Sequence, residues 1–96
     1  MNRIKEENIR ICRQKGWDRA PINKVWLLFT EEIGELAAAI RQSQGVYRKP
    51  GSTINVETEL GDVFSYLFQL AHMLNVDLDR MWETHKEKMT LKIYEQ

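Results

Sequence analysis

The chain has one cysteine, two prolines, no net charge and no long apolar run, and each shortage closes off a class of protein. Cys12, standing alone, excludes an internal disulfide and any zinc site built on several thiolates; it reads as a small apolar residue within a helix. With 14 basic and 14 acidic residues, the chain lacks the basic surplus that drives non-specific nucleic-acid binding, so no stable nucleic-acid partner is expected. The charged opening Met1-Asn2-Arg3-Ile4-Lys5 has no apolar core of the secretion-signal kind, and nothing approaches the ~20 apolar residues that cross a bilayer. No membrane partner is expected, and the expected location is cytoplasmic. Strand-like alternation is also missing, and with proline only at 21 and 50 long helices can run unbroken, so the fold class read here is all-α.

A hydrophobic share of 43% and a charged share of 29% are ordinary for a globular chain and argue against disorder. At 96 residues it reads as a single domain, 1–96, that can bury one modest core but not a roomy closed site, so self-association is expected. Ile4, Ile9, Ile11 and Cys12 outline a first helix from about Asn2 to Gln14, ended by Gly16. Pro21 suits the first position of a second helix reaching about Gln42, with Trp26, Phe29, Ile33, Leu36 and Ile40 as its apolar stripe. Residues 43–53 read as a loop; its glycines lack the spacing and lysine of a Walker phosphate loop. Thr53 or Asn55 can cap a third helix running to about Asn75, and Asp77 a fourth carrying Met81, Trp82, His85 and Met89. Trp26, Phe29 and Trp82 read as core residues, and His85 as a packed or interface histidine.

What the chain does have is a pair of acidic turns. Glu32 and Glu35 lie one turn apart on the second helix, Glu59 and Asp62 one turn apart on the third, and each pair brackets a glycine, Gly34 or Gly61. A glycine inside a helix costs roughly 1 kcal/mol relative to alanine, which suggests close approach of a backbone or ligand there. Carboxylates on facing helices suit magnesium, a hard ion held by a few carboxylates together with substrate phosphates. The alternative is that Glu31, Glu32, Glu35, Glu59 and Asp62 make ordinary ion pairs. Two features favour metal: the acids border the apolar stripes, and Lys24 and Arg41 are the only bases on the second helix. A di-iron bundle needs Glu-x-x-His on two helices, whereas His72 and His85 follow Gln69 and Trp82 at that spacing. No His-Glu-x-x-His zinc motif occurs either.

Glu32-Ile33-Gly34-Glu35-Leu36 and Glu59-Leu60-Gly61-Asp62-Val63, separated by a loop, closely resemble the paired acidic motifs of the MazG-like all-α nucleoside triphosphate pyrophosphatases. The similarity extends from Trp17 to about Met89. It implies a four-helix bundle-like MazG fold assembled as a homodimer or homotetramer. The implied activity is Mg2+-dependent hydrolysis of a nucleoside triphosphate between its α- and β-phosphates, giving nucleoside monophosphate and pyrophosphate and serving to cleanse the nucleotide pool. By position, Glu32, Glu35, Glu59 and Asp62 become metal ligands, with Glu35 also a candidate for orienting the attacking water. Lys88 matches a basic position on the last helix that neutralises phosphate charge, alongside Glu35 as a catalytic candidate. Beyond it many relatives carry an asparagine and then arginines where this chain has Lys92-Ile93-Tyr94, and Lys92 is assigned to substrate. Trp17 and Tyr66 resemble positions that contact the base in deoxycytidine-triphosphate-cleaving relatives, and Asn23 and Arg48 are further candidates for substrate contact. Two other functions stay open at this point: a non-catalytic helical module that binds nucleotides or a protein and uses the acids structurally, and a pyrophosphohydrolase acting on a phosphoribosyl intermediate of histidine synthesis.

Overall fold

The computed structural model describes residues 1–48, 50–51 and 55–95, the last four by their backbone alone. Among these residues the chain is all-helical, with no strand: α1 (Asn2–Lys15), a single 3-10 turn (Trp17–Arg19), α2 (Ile22–Ser43), α3 (Val56–Met73) and α4 (Leu78–Glu95). The ends follow local chemistry. Gly16 closes α1 at φ 75°, its N–H donating to the carbonyls of Arg13 and Cys12. Pro21 precedes the first residue of α2, and its carbonyl accepts from the N–H groups of Lys24 and Val25. Asn55 caps α3, its Oδ1 accepting from Thr58 N at 2.9 Å; the competing candidate Thr53 lies outside the described residues. Asp77 Oδ1 accepts from Arg80 N at 3.1 Å, as expected of a cap on α4.

α2 and α3 form an antiparallel hairpin, and α1 packs across α3. Asn8 fixes that crossing through two bonds to one residue: its Nδ2 donates to Ser65 O at 2.9 Å, and its Oδ1 accepts from Ser65 Oγ at 2.7 Å. The core is small, drawing Ile9 and Cys12 from α1, Val25 and Ala39 from α2, Phe68, Leu70 and Ala71 from α3, and Leu78 from α4. Among the described residues α4 is tethered only at its start. Asn2 Oδ1 accepts from Leu78 N at 2.8 Å, Lys5 Nζ donates to Val76 O at 2.6 Å, and the amino terminus pairs with Asp79 at 2.8 Å. From Asp79 to Leu91 every residue of α4 is exposed. The radius of gyration, 16.6 Å, accordingly exceeds the roughly 12–13 Å of a compact chain of this length.

The structure corrects the choice of buried stripe. On α2 the stripe turned inward is Val25, Leu28, Glu32, Leu36 and Ala39, whereas Trp26, Ile33 and Ile40 face outward, Trp26 at 54% exposure. Phe29 is half-buried, Trp82 is 44% exposed, and His85 is exposed with its ring tilted against Trp82. A helix with two apolar stripes can bury only one against a single neighbouring helix, and the other waits for a different partner. A Cβ added at Gly34 or Gly61 meets no atom of the chain within 4 Å, so no backbone of the same chain closes on either glycine.

Candidate metal centre and adjoining cavity

Antiparallel pairing of α2 with α3 sets Glu32 opposite Glu59 and Asp62, and one carboxylate oxygen from each lies within 4.8 Å of the other two. Glu35 stands one turn along α2 from Glu32, its carboxyl close enough to share a proton with Glu32 or with Glu59. Glu32 and Glu59 are half-buried and Asp62 is exposed, so the cluster opens to solvent on one side. None of these acids, nor Glu31, forms an ion pair among the described residues. Arg41 does not approach them, because its guanidinium donates to the carbonyls of Val46 at 2.7 Å and Tyr47 at 3.1 Å. Among the described residues of the single chain, the ion-pair alternative has no example.

Crowding without cations has an electrostatic consequence. Desolvation, then repulsion from Glu35 and a proton shared with it, then repulsion from Asp62 and Glu59, push the Glu32 carboxyl up to about 7. Glu59 is raised for the same reasons, desolvation first and Glu35 next. Burial also raises the Tyr66 hydroxyl, with Glu32, Asp62 and Glu31 adding to the effect. Oε2 of Glu32 and Oε2 of Glu59 are buried with no hydrogen-bond partner. Buried polar atoms are normally satisfied, and orphaned anionic oxygens above all call for a partner. An all-oxygen donor set with two orphaned members fits a hard divalent cation.

One turn beyond Asp62, Tyr66 lines a cavity of about 460 Å³ together with Trp17, Arg19, Lys24, Leu28 and Gln69. Sequence reasoning named Trp17 and Tyr66 here, and the structure brings them to one wall. It passed over Gln69, Arg19 and Lys24; the signal for Gln69 was its place on the Glu59, Asp62, Tyr66 stripe of α3. Lys88 sits elsewhere, in a groove with Asn75, Asp77, Arg80, Thr84 and His85 that none of the acids lines. Lys92 belongs to α4, but its side chain is outside the described residues. Asn23 faces a separate apolar groove with Trp26 and Leu74, and Arg48 is exposed beyond α2.

Fold and site together define an all-α protein with a carboxylate cluster, suited to a hard metal, between two antiparallel helices. The sequence profile of the MazG nucleotide pyrophosphohydrolase domain matches residues 22–92, and the chain belongs to that family. No curated relative and no solved structure matches it. Among the described residues no helix is long and apolar enough to cross a membrane.

Proposed function

We propose that this chain is a Mg2+-dependent nucleoside triphosphate pyrophosphohydrolase that cleaves between the α- and β-phosphates and serves to clear particular nucleotides from the cytoplasmic pool. The observation that carries the reading is the cluster of Glu32, Glu59 and Asp62, with two buried and unpartnered oxygens and no ion pair among the described residues. These three residues would hold the metal, which when bound supplies charge neutralisation on the phosphates and a more acidic water. Glu35, facing the same cluster, accepts a proton from the attacking water as its oxygen bonds to phosphorus. The bond from the α-phosphorus to the bridging oxygen breaks, and pyrophosphate leaves with the electron pair.

Lys88 and Lys92 are the cations proposed to meet the phosphates. Since Lys88 lines a groove that none of the acids lines, its contribution is assigned to a neighbouring copy in a homodimer or homotetramer. The outward apolar stripes of α2, α3 and α4, with Leu27 67%, Leu67 42% and Leu91 62% exposed, support such assembly.

Pyrophosphate release from a panel of natural and modified triphosphates, with magnesium and with chelator, tests the reading. Glu35→Gln is expected to lower kcat by about 10²–10⁴-fold while magnesium binding measured by calorimetry changes far less. Absence of turnover throughout the panel, or an unaffected Glu35→Gln enzyme, overturns it.

A further inference from the structure

We propose that Gln69 reads the nucleobase, its side-chain oxygen selecting a base that carries an exocyclic amine over one that presents a carbonyl there. The proposal rests on the acid cluster being the phosphate site. Asp62 and Gln69 share one stripe of α3, seven residues apart, which is about 10 Å along the helix axis and matches the reach of a nucleoside monophosphate from phosphate to base edge. Tyr66 lies between them, and the cavity opens beside all of this stripe's upper half.

Gln69 is the only buried polar side chain among the described residues, at 5% exposure. Its Nε2 donates to the carbonyl of Trp17 at 3.1 Å. A carbonyl only accepts, so the amide nitrogen must face Trp17, and Oε1 is left as the other end. No described residue donates to Oε1. Nor is it one of the sealed orphan atoms, which are Oε2 of Glu32 and of Glu59. Oε1 is therefore an unsealed acceptor on a residue that lines the cavity.

The rest of the wall sharpens the choice. Arg19, Lys24 and the Trp17 indole are donors, and Arg19 and Lys24 have no ion-pair partner among the described residues. A base carbonyl can thus be met at several places, but apart from the Tyr66 hydroxyl the side chains offer an N–H only Oε1. A flat ligand filling the cavity displaces water from Oε1 and must replace its hydrogen bond. An exocyclic amine projects beyond the ring and does so. The ring N–H of uracil is recessed between two carbonyl oxygens, which meet Oε1 with like partial charge.

The test compares cytidine and uridine triphosphates, by pyrophosphate release and, with non-hydrolysable α,β-methylene analogues and magnesium, by calorimetry. Wild type should favour cytidine by about tenfold or more, within the range of a good base-edge contact. It should bind the triphosphate of 2-pyrimidinone, which is cytosine without its amine, at least about tenfold more weakly, a comparison that needs no variant. Gln69→Met should bring the cytidine-to-uridine ratio near one. Gln69→Glu, which keeps an acceptor but cannot donate to Trp17, should keep the preference. Equal handling of the three bases by wild type, or an unchanged ratio in Gln69→Met, overturns the proposal. Failure of the enzymatic reading looks different: the calorimetric preference stands while no pyrophosphate appears.

Discussion

Removing metal from the acid cluster should make folding stability fall as pH rises, the reverse of the usual behaviour of paired carboxylates. In the folded chain the Glu32 carboxyl is raised from 4.5 to about 7 by desolvation and by its acidic neighbours. The unfolded chain ionises this group first, so its contribution to stability is fully present below about pH 4.5 and is lost as pH rises through about 7. At ~1.4 kcal/mol per pK unit the whole span amounts to about 3 kcal/mol for a sealed carboxyl. Glu32 is only half-buried, and solvent screening reduces the expected loss to about 1–2 kcal/mol. For a domain of this size that is a fall in Tm of roughly 5–15 °C between pH 5 and pH 8. Circular-dichroism melting in chelator, at fixed protein concentration, measures it. Glu32→Gln should flatten the profile, and magnesium at pH 8 should restore Tm in wild type through binding to the folded state alone. A metal-free Tm that is level or rises over this range, with Glu32→Gln following the same curve, would refute the electrostatic account of the cluster.

Two further outcomes test the frame that holds the cluster. Asn55→Ala removes the 2.9 Å bond that caps α3 and should cost about 1 kcal/mol, a fall in Tm of about 4–8 °C, with magnesium affinity weakened alongside it because Glu59 lies in the first turn that the cap holds. Leu27→Glu alters a side chain 67% exposed in the single chain, where such a change is worth less than about 0.5 kcal/mol; sedimentation velocity should show smaller assemblies, and an unchanged sedimentation coefficient removes this face from the interface.

The sequence made the helices and their ends readable because those are local matters. Gly16 and the Asn55 cap need only their own neighbours, and the apolar period along α2 and α3 needs no partner to be seen. The acids were readable for the same reason, since positions three residues apart share a helix face and the hairpin does the rest. What was not readable was which of two apolar stripes on α2 would be covered. Trp26, Ile33 and Ile40 have the better hydrophobic pattern, yet Val25, Leu28 and Ala39 are the ones packed, because contact with α3 selects a face and periodicity does not. Lys88 shows the same limit: a position on α4 says nothing of where an almost untethered helix carries it. The 3-10 turn was missed because three residues are too few for any period to register, although it is what brings the Trp17 carbonyl to Gln69.

That inverted choice of stripe ties the site to the assembly. Turning Glu32 inward places carboxylate against carboxylate at the α2–α3 seam, an arrangement that lowers the stability of the metal-free hairpin at neutral pH. It also leaves Trp26, Leu27, Ile33 and Ile40 outside, where they contribute little until another surface covers them. A helix rotated to bury the apolar stripe would relieve both penalties and would lose the cluster. The observed rotation is thus the one that a metal at the seam and a second copy on the outer face would both stabilise. The same rotation lines up Glu32, Leu28 and Val25 of α2 with Asp62, Tyr66 and Gln69 of α3, so the seam that gathers the acids at one end opens the cavity at the other.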